Sequence, residues 1–548
     1  MTHFRYTSTS RWGAVVVIAG TLAAAVTASD VVEIGDRRQV FVDDFFLNSA
    51  RGMTLEVKPP VKRGIVLKAD DPHRTSIGQY GSVLEHEGVL HMWYQAHTAL
   101  GERRGEDAEG RGYICYARSE DGVHWTKPRF DRAMPMPGAE PNIVFGAGAG
   151  DIGGGSPPWN GGELGNVFID PNAVPEERFR MAIREEVLTK EPGKFGLHLL
   201  SSPDGIHWKL THRDVVNYWS PLPHLDTCNV VFWDAARRTY RAYVRANLRL
   251  PGGRNRAVAY GESPDLTHLP HVENMTIVMG HDGLDATLPN PANGQEVRVV
   301  DFYTNGTVKY PYAENAYYMF PSAYFHYEAS LSEFRKKKPV NAGPLDIRFA
   351  ASRDGVDWNR FDRRPYVRPG TAGQWDGRML YMYRGVVPAG DSRLFMYYYA
   401  SDWDHGWWRD EQNREILRAA GLEPRSLLGA VGVVEVRKDG FVAAHAAYTG
   451  GEFTTPTLLF SGNELLLNVD TSAAGEVRVE LQDEHGIARP GFTLADCARI
   501  HTANEINRPV RWAKDGDVSS LAGQPVRVRF VMRDADLYAF QFRTRTQP

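Results

Sequence analysis

Four carboxylates in this 548-residue chain stand where acid–base chemistry would need them. Asp71 and Asp226 lie in polar segments leading into apolar, strand-like runs, and Glu185 and Glu186 lie just past the end of another. Carboxyl groups used in pairs can open a glycosidic bond: one protonates the leaving oxygen while the other, ionised, activates water or attacks the anomeric carbon. A third carboxylate nearby holds the acid's pKa up by like-charge repulsion. The same two kinds of position also carry Arg74, His97, Trp159, Arg184, His224, Arg245, Trp375 and Asp376. That set suits a polar ring-shaped substrate, with indoles for a sugar's apolar face. Each group has a structural alternative. An Asp at a strand entrance also forms turns and caps, a Glu pair at a strand end is also a solvated edge, and either Trp fits equally well between packed sheets. Cys115, Cys228 and Cys497 sit at no metal-ligand spacing and read as three separate buried thiols, and neither metal nor organic cofactor is expected.

A repeat must position these residues. Ser119-Glu120-Asp121-Gly122-Val123-His124-Trp125 returns as Ser202-Pro203-Asp204-Gly205-Ile206-His207-Trp208 and as Ser352-Arg353-Asp354-Gly355-Val356-Asp357-Trp358. A copy without the Gly and Trp stands at 263–269, and a worn one at 401–403. Each follows a short strand-like run, so the Asp-Gly pair falls where a hairpin reverses. A repeated small sheet buries its faces only by stacking on neighbours, which points to a propeller or solenoid. Five units are expected, with inner strands near 80–84, 165–170, 229–234, 299–303 and 379–383 and second strands near 89–94, 179–183, 240–244, 316–320 and 394–398. The expectation is an all-β chain: a five-bladed β-propeller over 29–449, then a C-terminal β-sandwich over 450–548 built from alternating strands at 464–469, 476–481 and 526–531. A helix-like piece at 410–420 is expected to link them.

With 42% hydrophobic and 11% aromatic residues the chain can bury a large core, and a formal net charge of -4 gives no reason to expect nucleic acid or an anionic membrane as partner. Arg5 and Arg11 precede an apolar run at 13–26 and a small-residue site at Val26-Thr27-Ala28, as in a cleaved signal peptide covering 1–28. The expected location is secreted or periplasmic, without stable membrane insertion, since the run is shorter than the roughly 20 residues a spanning helix needs.

Blade segments such as Tyr116-Ala117-Arg118-Ser119-Glu120-Asp121-Gly122-Val123-His124-Trp125 resemble those of the five-bladed propeller glycoside hydrolases of the family 32 and family 43 superfamily. The fructosidase Asn-Asp-Pro-Asn-Gly signature is absent. Glu262-Ser263-Pro264-Asp265 is similar to that family's acid-bearing segment, but by repeat frame it is an outer hairpin. The resemblance implies an exported enzyme cleaving O-glycosidic bonds of plant or algal polysaccharides or their oligosaccharides. It implies an early Asp as base or nucleophile, matched by Asp71, and a mid-chain Asp that orients and tunes, matched by Asp226. A later Glu acid has no evident counterpart on an inner strand, leaving Glu185, Glu186 and Glu314 open. A non-catalytic carbohydrate-binding propeller would show aromatic and amide groups at the channel mouth without converging acids. A sialidase-like hydrolase would gather arginines, such as Arg74, Arg184 and Arg245, around a substrate carboxylate.

Overall fold

The computed structural model describes residues 31–70, 75–98, 112–130, 141–146, 163–185, 196–219, 224–226, 228–250, 253–289, 294, 296–326, 343–406, 429–513 and 516–545. Asp71, Arg74, Trp159, Glu186, the leader at 1–28 and the helix-like piece at 410–420 lie outside them, as does the side chain of Glu185. The chain is all-β, and its described helical turns are three short 3-10 turns, Pro175–Glu177, Val272–Asn274 and Ser519–Leu521. No described helix is long and apolar enough to cross a membrane.

The repeats fold into sheets arranged like the blades of a propeller, four of which are distinct. Three are four-stranded antiparallel meanders. The first runs Thr75–His86, Val89–Thr98, Gly112–Ser119, Ile143–Phe145, and the second runs Glu163–Ile169, Phe179–Glu185, Gly196–Ser202, Lys209–Val216. The third runs Val230–Asp234, Thr239–Leu250, Gly253–Ser263, Thr276–Met279. The fourth is eight-stranded: Val300–Thr304, Ser322–Phe325 and Leu345–Ile347 join Met379–Met382, Arg393–Ser401 and Ala430–Arg437 through one parallel pair, Leu345 with Met379. Its far edge is the early strand Val61–Leu67, antiparallel to Ala430–Arg437.

The repeated heptads are one local structure. In each full copy the Ser hydroxyl accepts the Gly N–H (2.9, 2.9 and 2.8 Å), and the Asp carboxylate accepts the next two N–H groups. The Trp indole N–H returns to the Gly carbonyl at 3.1, 2.9 and 3.1 Å, so Trp125, Trp208 and Trp358 hold equivalent places. The Gly sits at φ between 74° and 81°, where a Cβ is disfavoured. The same Gly carbonyl accepts from the neighbouring sheet: Trp93 bonds Gly205 at 2.7 Å, Tyr243 bonds Gly355 at 2.8 Å, and Tyr397 bonds Gly122 at 2.8 Å. A motif readable as a hairpin is thus also the joint between sheets.

Around the axis the inner strands are laced by buried polar groups. Ser82 accepts from the Val167 N–H at 3.1 Å, Asn166 exchanges two 2.8 Å bonds with Val231, and Asn305 donates to the Cys228 carbonyl at 3.1 Å. Arg384 closes the circuit, its N–H reaching the Gly81 carbonyl at 3.0 Å and its carbonyl the Val83 N–H at 2.8 Å.

Two expectations shift. The strand expected over 316–320 is broken at Pro321, which lacks an N–H for the ladder. Tyr317–Met319 pairs Val308–Lys309 and Ala350–Ser352, whereas Ser322–Phe325 pairs the inner strand. The strands expected at 464–469 and 476–481 are one 19-residue strand, Glu464–Gln482, with a register shift between Thr471 and Glu476, packed along Arg527–Arg543. That nine-stranded sheet takes in residues on both sides of position 450, because Gln39–Val40, Ser49–Arg51, Met53–Val57 and Val442–Ala446 all pair within it. Its apolar face packs on Tyr398 of the eight-stranded sheet, on Tyr318 of the small sheet that Tyr317–Met319 forms with Val308–Lys309 and Ala350–Ser352, and on Phe320 and Phe349 beside them. All three cysteines are buried and free.

Candidate active site

The segment 224–226 enters the third sheet's inner strand under tension. Leu225 is held at φ 60°, costly for a branched side chain, by its N–H on the Arg245 carbonyl at 3.0 Å and its carbonyl under the Asn229 amide at 2.8 Å. His224 is buried, accepts the Asn247 N–H on Nδ1 at 3.0 Å and meets the Tyr218 ring edge-on, and burial pushes its pKa down. It fixes the segment as a neutral ring. These contacts aim Asp226 at Arg184, from the second sheet, and at Arg245, from the second strand of its own sheet, each guanidinium nitrogen 3.6 Å from a different carboxylate oxygen. The arginine side chains are 8% and 2% exposed and that of Asp226 35%, so the carboxylate is the accessible member of the triad.

A second carboxylate lies alongside. Asp301, at the next inner strand, pairs with Arg256 at 2.9 Å and His326 at 3.2 Å. Arg256 lies over the rings of Tyr303 and Tyr324, and Arg245 lies 4.5 Å over Tyr303. The His405 ring packs on Tyr303 and Tyr324 and shares a 3.1 Å hydrogen bond with the Tyr381 hydroxyl. Strands of the second, third and fourth sheets therefore converge on one polar, tyrosine-walled cluster.

The electrostatics separate proton carriers from fixed charges. Burial pushes the Asp226 carboxyl up, but Arg245, then Arg184, Arg256 and His405, outweigh it, and its pKa lies below the ordinary value. Burial acts likewise on Asp301, where Arg256 and His326 prevail and bring it to about 2. Both carboxylates are ionised at neutral pH and neither donates a proton there.

The structure brings Asp226, Arg184 and Arg245 together, with His224 behind them. His97 ends the second strand of the first sheet, with its Nε2 against Gly78, where a Cβ would stand 3.0 Å away. Trp375 and Asp376 are not brought to the cluster. Trp375 packs on Tyr398 and Gly432, and Asp376 accepts from Lys62 at 2.6 Å and Tyr398 at 3.2 Å, on the second and outer strands of the eight-stranded sheet. The reason is that 370–377 folds back on itself, Gly370 bonding Asp376 through the backbone, before the inner strand begins. Glu262 lies on an outer strand, bonded to the Tyr260 hydroxyl. Glu314 pairs with Arg37 at 2.8 Å, on the side of the early strands.

Arg256, Asp301, Tyr303, His326 and His405 were not singled out by sequence. Nor was Trp219, which is 67% exposed and stacks on His271 at 4.2 Å, on the segment that runs into Asp226. Asp301 stands inside its inner-strand run, so the strand-entrance position that marked Asp226 passed it over; a carboxylate within an otherwise apolar strand was the usable signal. Among the described residues one group, Glu56, His445 and Asp536, is close enough to offer three metal ligands, but the Lys58 ammonium lies 2.9 Å from both carboxylates and supplies the cation.

No family model matches the chain. Over 135 residues it is 25% identical to the A type blood N-acetyl-alpha-D-galactosamine deacetylase of Flavonifractor plautii, a stretch that is 23% of this chain and spans 17% of that protein's length. Among solved structures it is similar to an N-acetylgalactosamine deacetylase from F. plautii in complex with blood group B trisaccharide (15% identity, TM-score 0.40, 71% of this chain and 96% of that one). It is also similar to a beta-1,2-mannobiose phosphorylase from Listeria innocua in complex with its disaccharide (12%, 0.40, 68% and 96%). A third is an exo-beta-1,3-galactanase from Phanerochaete chrysosporium with a galactotriose (12%, 0.33, 89% and 100%). These proteins act on glycans, and at such scores the likeness assigns no activity to this chain.

Proposed function

We propose that this protein is an exported carbohydrate-active hydrolase that cleaves O-glycosidic bonds at the mouth of a five-bladed propeller. In this reading the eight-stranded sheet is two blades joined by the Leu345–Met379 pair and the Gly343–His405 bridge, and the nine-stranded sheet is a two-layered sandwich. The observation that carries the function is Asp226: an accessible carboxylate held ionised by two buried arginines where several sheets converge. A fixed anion there stabilises the positive charge that develops at an anomeric carbon, or takes a proton from water, while Arg184 and Arg245 keep it oriented. The acid falls to Glu185 or Glu186 and the base or nucleophile to Asp71, as the sequence resemblance implies. Trp219 offers one open indole face to a sugar at the rim. Substrates are plant or algal oligosaccharides, with the leader at 1–28 removed on export.

A second reading is favoured by the Flavonifractor relative: removal of an N-acetyl group from an amino sugar, with Asp226 again the fixed anion. One experiment separates the two. The protein is incubated with a panel of oligosaccharides, some N-acetylated, and reducing ends and free acetate are both measured. New reducing ends support glycosidic cleavage, acetate alone supports the second reading, and binding without either product refutes both in favour of a binding propeller.

A further inference from the structure

The Arg384 side chain reaches from the fourth sheet to the second and third, and its charge has no use in the chemistry above. Its backbone bridges Gly81 and Val83 on the first sheet's inner strand, its Nη1 donates to the Val167 carbonyl of the second at 3.3 Å, and its guanidinium lies 5.6 Å over the Phe232 ring of the third. A group that reaches three other inner strands from the fourth sheet must lie in the central channel. Its Nε is buried and meets no acceptor, and no ion pair joins it to a carboxylate among the described residues. Burial pulls its pKa down to about 10, and the one nearby group that opposes this is the Cys228 thiol. Arg384 is half-buried, and a guanidinium withdrawn from water without a counter-charge is costly, a cost that channel water lessens and a bound anion removes.

We propose that the channel beside Arg384 binds a small monovalent anion of the halide class, which neutralises the guanidinium and ties the fourth sheet to the first three. Such an anion meets the guanidinium N–H donors beside the weakly polar Phe232 ring and Cys228 side chain, a setting that favours a weakly hydrated ion. The site is structural, and it stands whether or not the proposed hydrolysis is correct.

The full-length protein is exchanged into sodium isethionate, whose anion is neither a halide nor a sugar acid, and chloride, bromide or nitrate is titrated in at constant ionic strength, with gluconate in a parallel titration. The expected result is a saturable rise in melting temperature of about 1–2 °C at roughly ten times the dissociation constant, small because the chain is long. Arg384→Gln should abolish the response, and a bromide-soaked crystal of the unsubstituted protein should show anomalous density beside the guanidinium. If Arg384→Gln does not fold, the bromide peak alone decides. Absence of that peak overturns the proposal, as does a halide response that persists in Arg384→Gln, or one evoked only by sugar carboxylates, which would make Arg384 a substrate-reading group.

Discussion

Replacing Asp226 by Asn keeps its shape and removes its charge, and the geometry fixes how the two consequences divide. Each arginine nitrogen lies 3.6 Å from a carboxylate oxygen. At an effective dielectric constant of about 20, one such pair attracts by roughly 4–5 kcal/mol before desolvation is subtracted. Because the carboxylate is a third open to water, the net loss is smaller, about 1–3 kcal/mol of unfolding free energy, and it arises mostly from leaving Arg184 and Arg245 buried without their shared partner. Turnover should fall by roughly 10²-fold or more, about 2.7 kcal/mol of transition-state stabilisation. The assay is kcat/KM on the best oligosaccharide from the panel, with urea unfolding of the same preparation. The lowered pKa adds a second readout: any acid limb due to Asp226 lies below the ordinary carboxylate range, because the group stays ionised until pH falls through its depressed value. Unchanged turnover with reduced stability would show that Asp226 only neutralises arginines, and the site assignment would fall.

Acid should destabilise the fold in two separable windows. Asp301, lowered from 3.8 to about 2, contributes stability that is full above about pH 4 and lost as pH falls through its folded value, about 2 kcal/mol in all, and Asp301→Asn should flatten that part of a stability–pH curve. His198, which is buried, accepts the Asp214 N–H and is pushed down by burial to about 4. It is neutral in both states above pH 6.5 and costs the fold stability as pH falls from 6.5 to 4, where the unfolded chain takes up the proton first, a loss that should vanish in His198→Gln. Gly205→Ala places a Cβ 2.6 Å from Trp93 at φ 74° and should cost on the order of 2 kcal/mol or more, read as a lower denaturation midpoint. An unaltered midpoint would mean that the sheet-to-sheet joint is not tight. Trp219→Ala should lower kcat/KM for long oligosaccharides about tenfold and leave a short aryl glycoside untouched; equal losses on both would place the indole elsewhere.

What the sequence made legible is what depends on neighbours in the chain. The heptads declared themselves because Ser, Asp, Gly and Trp bond within seven residues, and Asp226, Arg184 and Arg245 could be grouped because the repeat frame marks strand ends. Arg256 escaped that frame because it sits on a third strand, and reaches the cluster only because the Thr239–Leu250 and Gly253–Ser263 hairpin is long enough to place it opposite Asn247. Trp375 and Asp376 met the positional rule but lie on a loop that folds outward before its strand starts. The pairing of the early strands with the last ones left no local trace, since nothing in Met53–Val57 specifies Val442–Ala446 as partner.

That last pairing has a consequence for how the molecule is made. The strands from Val32 to Leu67 find their partners only at residue 431 and beyond, so they leave the ribosome long before anything exists to receive them. At about 5–20 residues per second the wait is on the order of 20 s or longer. Throughout it the Val61–Leu67 segment is an unsatisfied strand beside other growing chains, and the edge of Ala430–Arg437 that it will fill is equally open when it emerges. The tether favours closure with the chain's own strand, but while both edges are open the same pairing with a second molecule competes, so exchange of the N-terminal arm between two copies is the misassembly this topology invites.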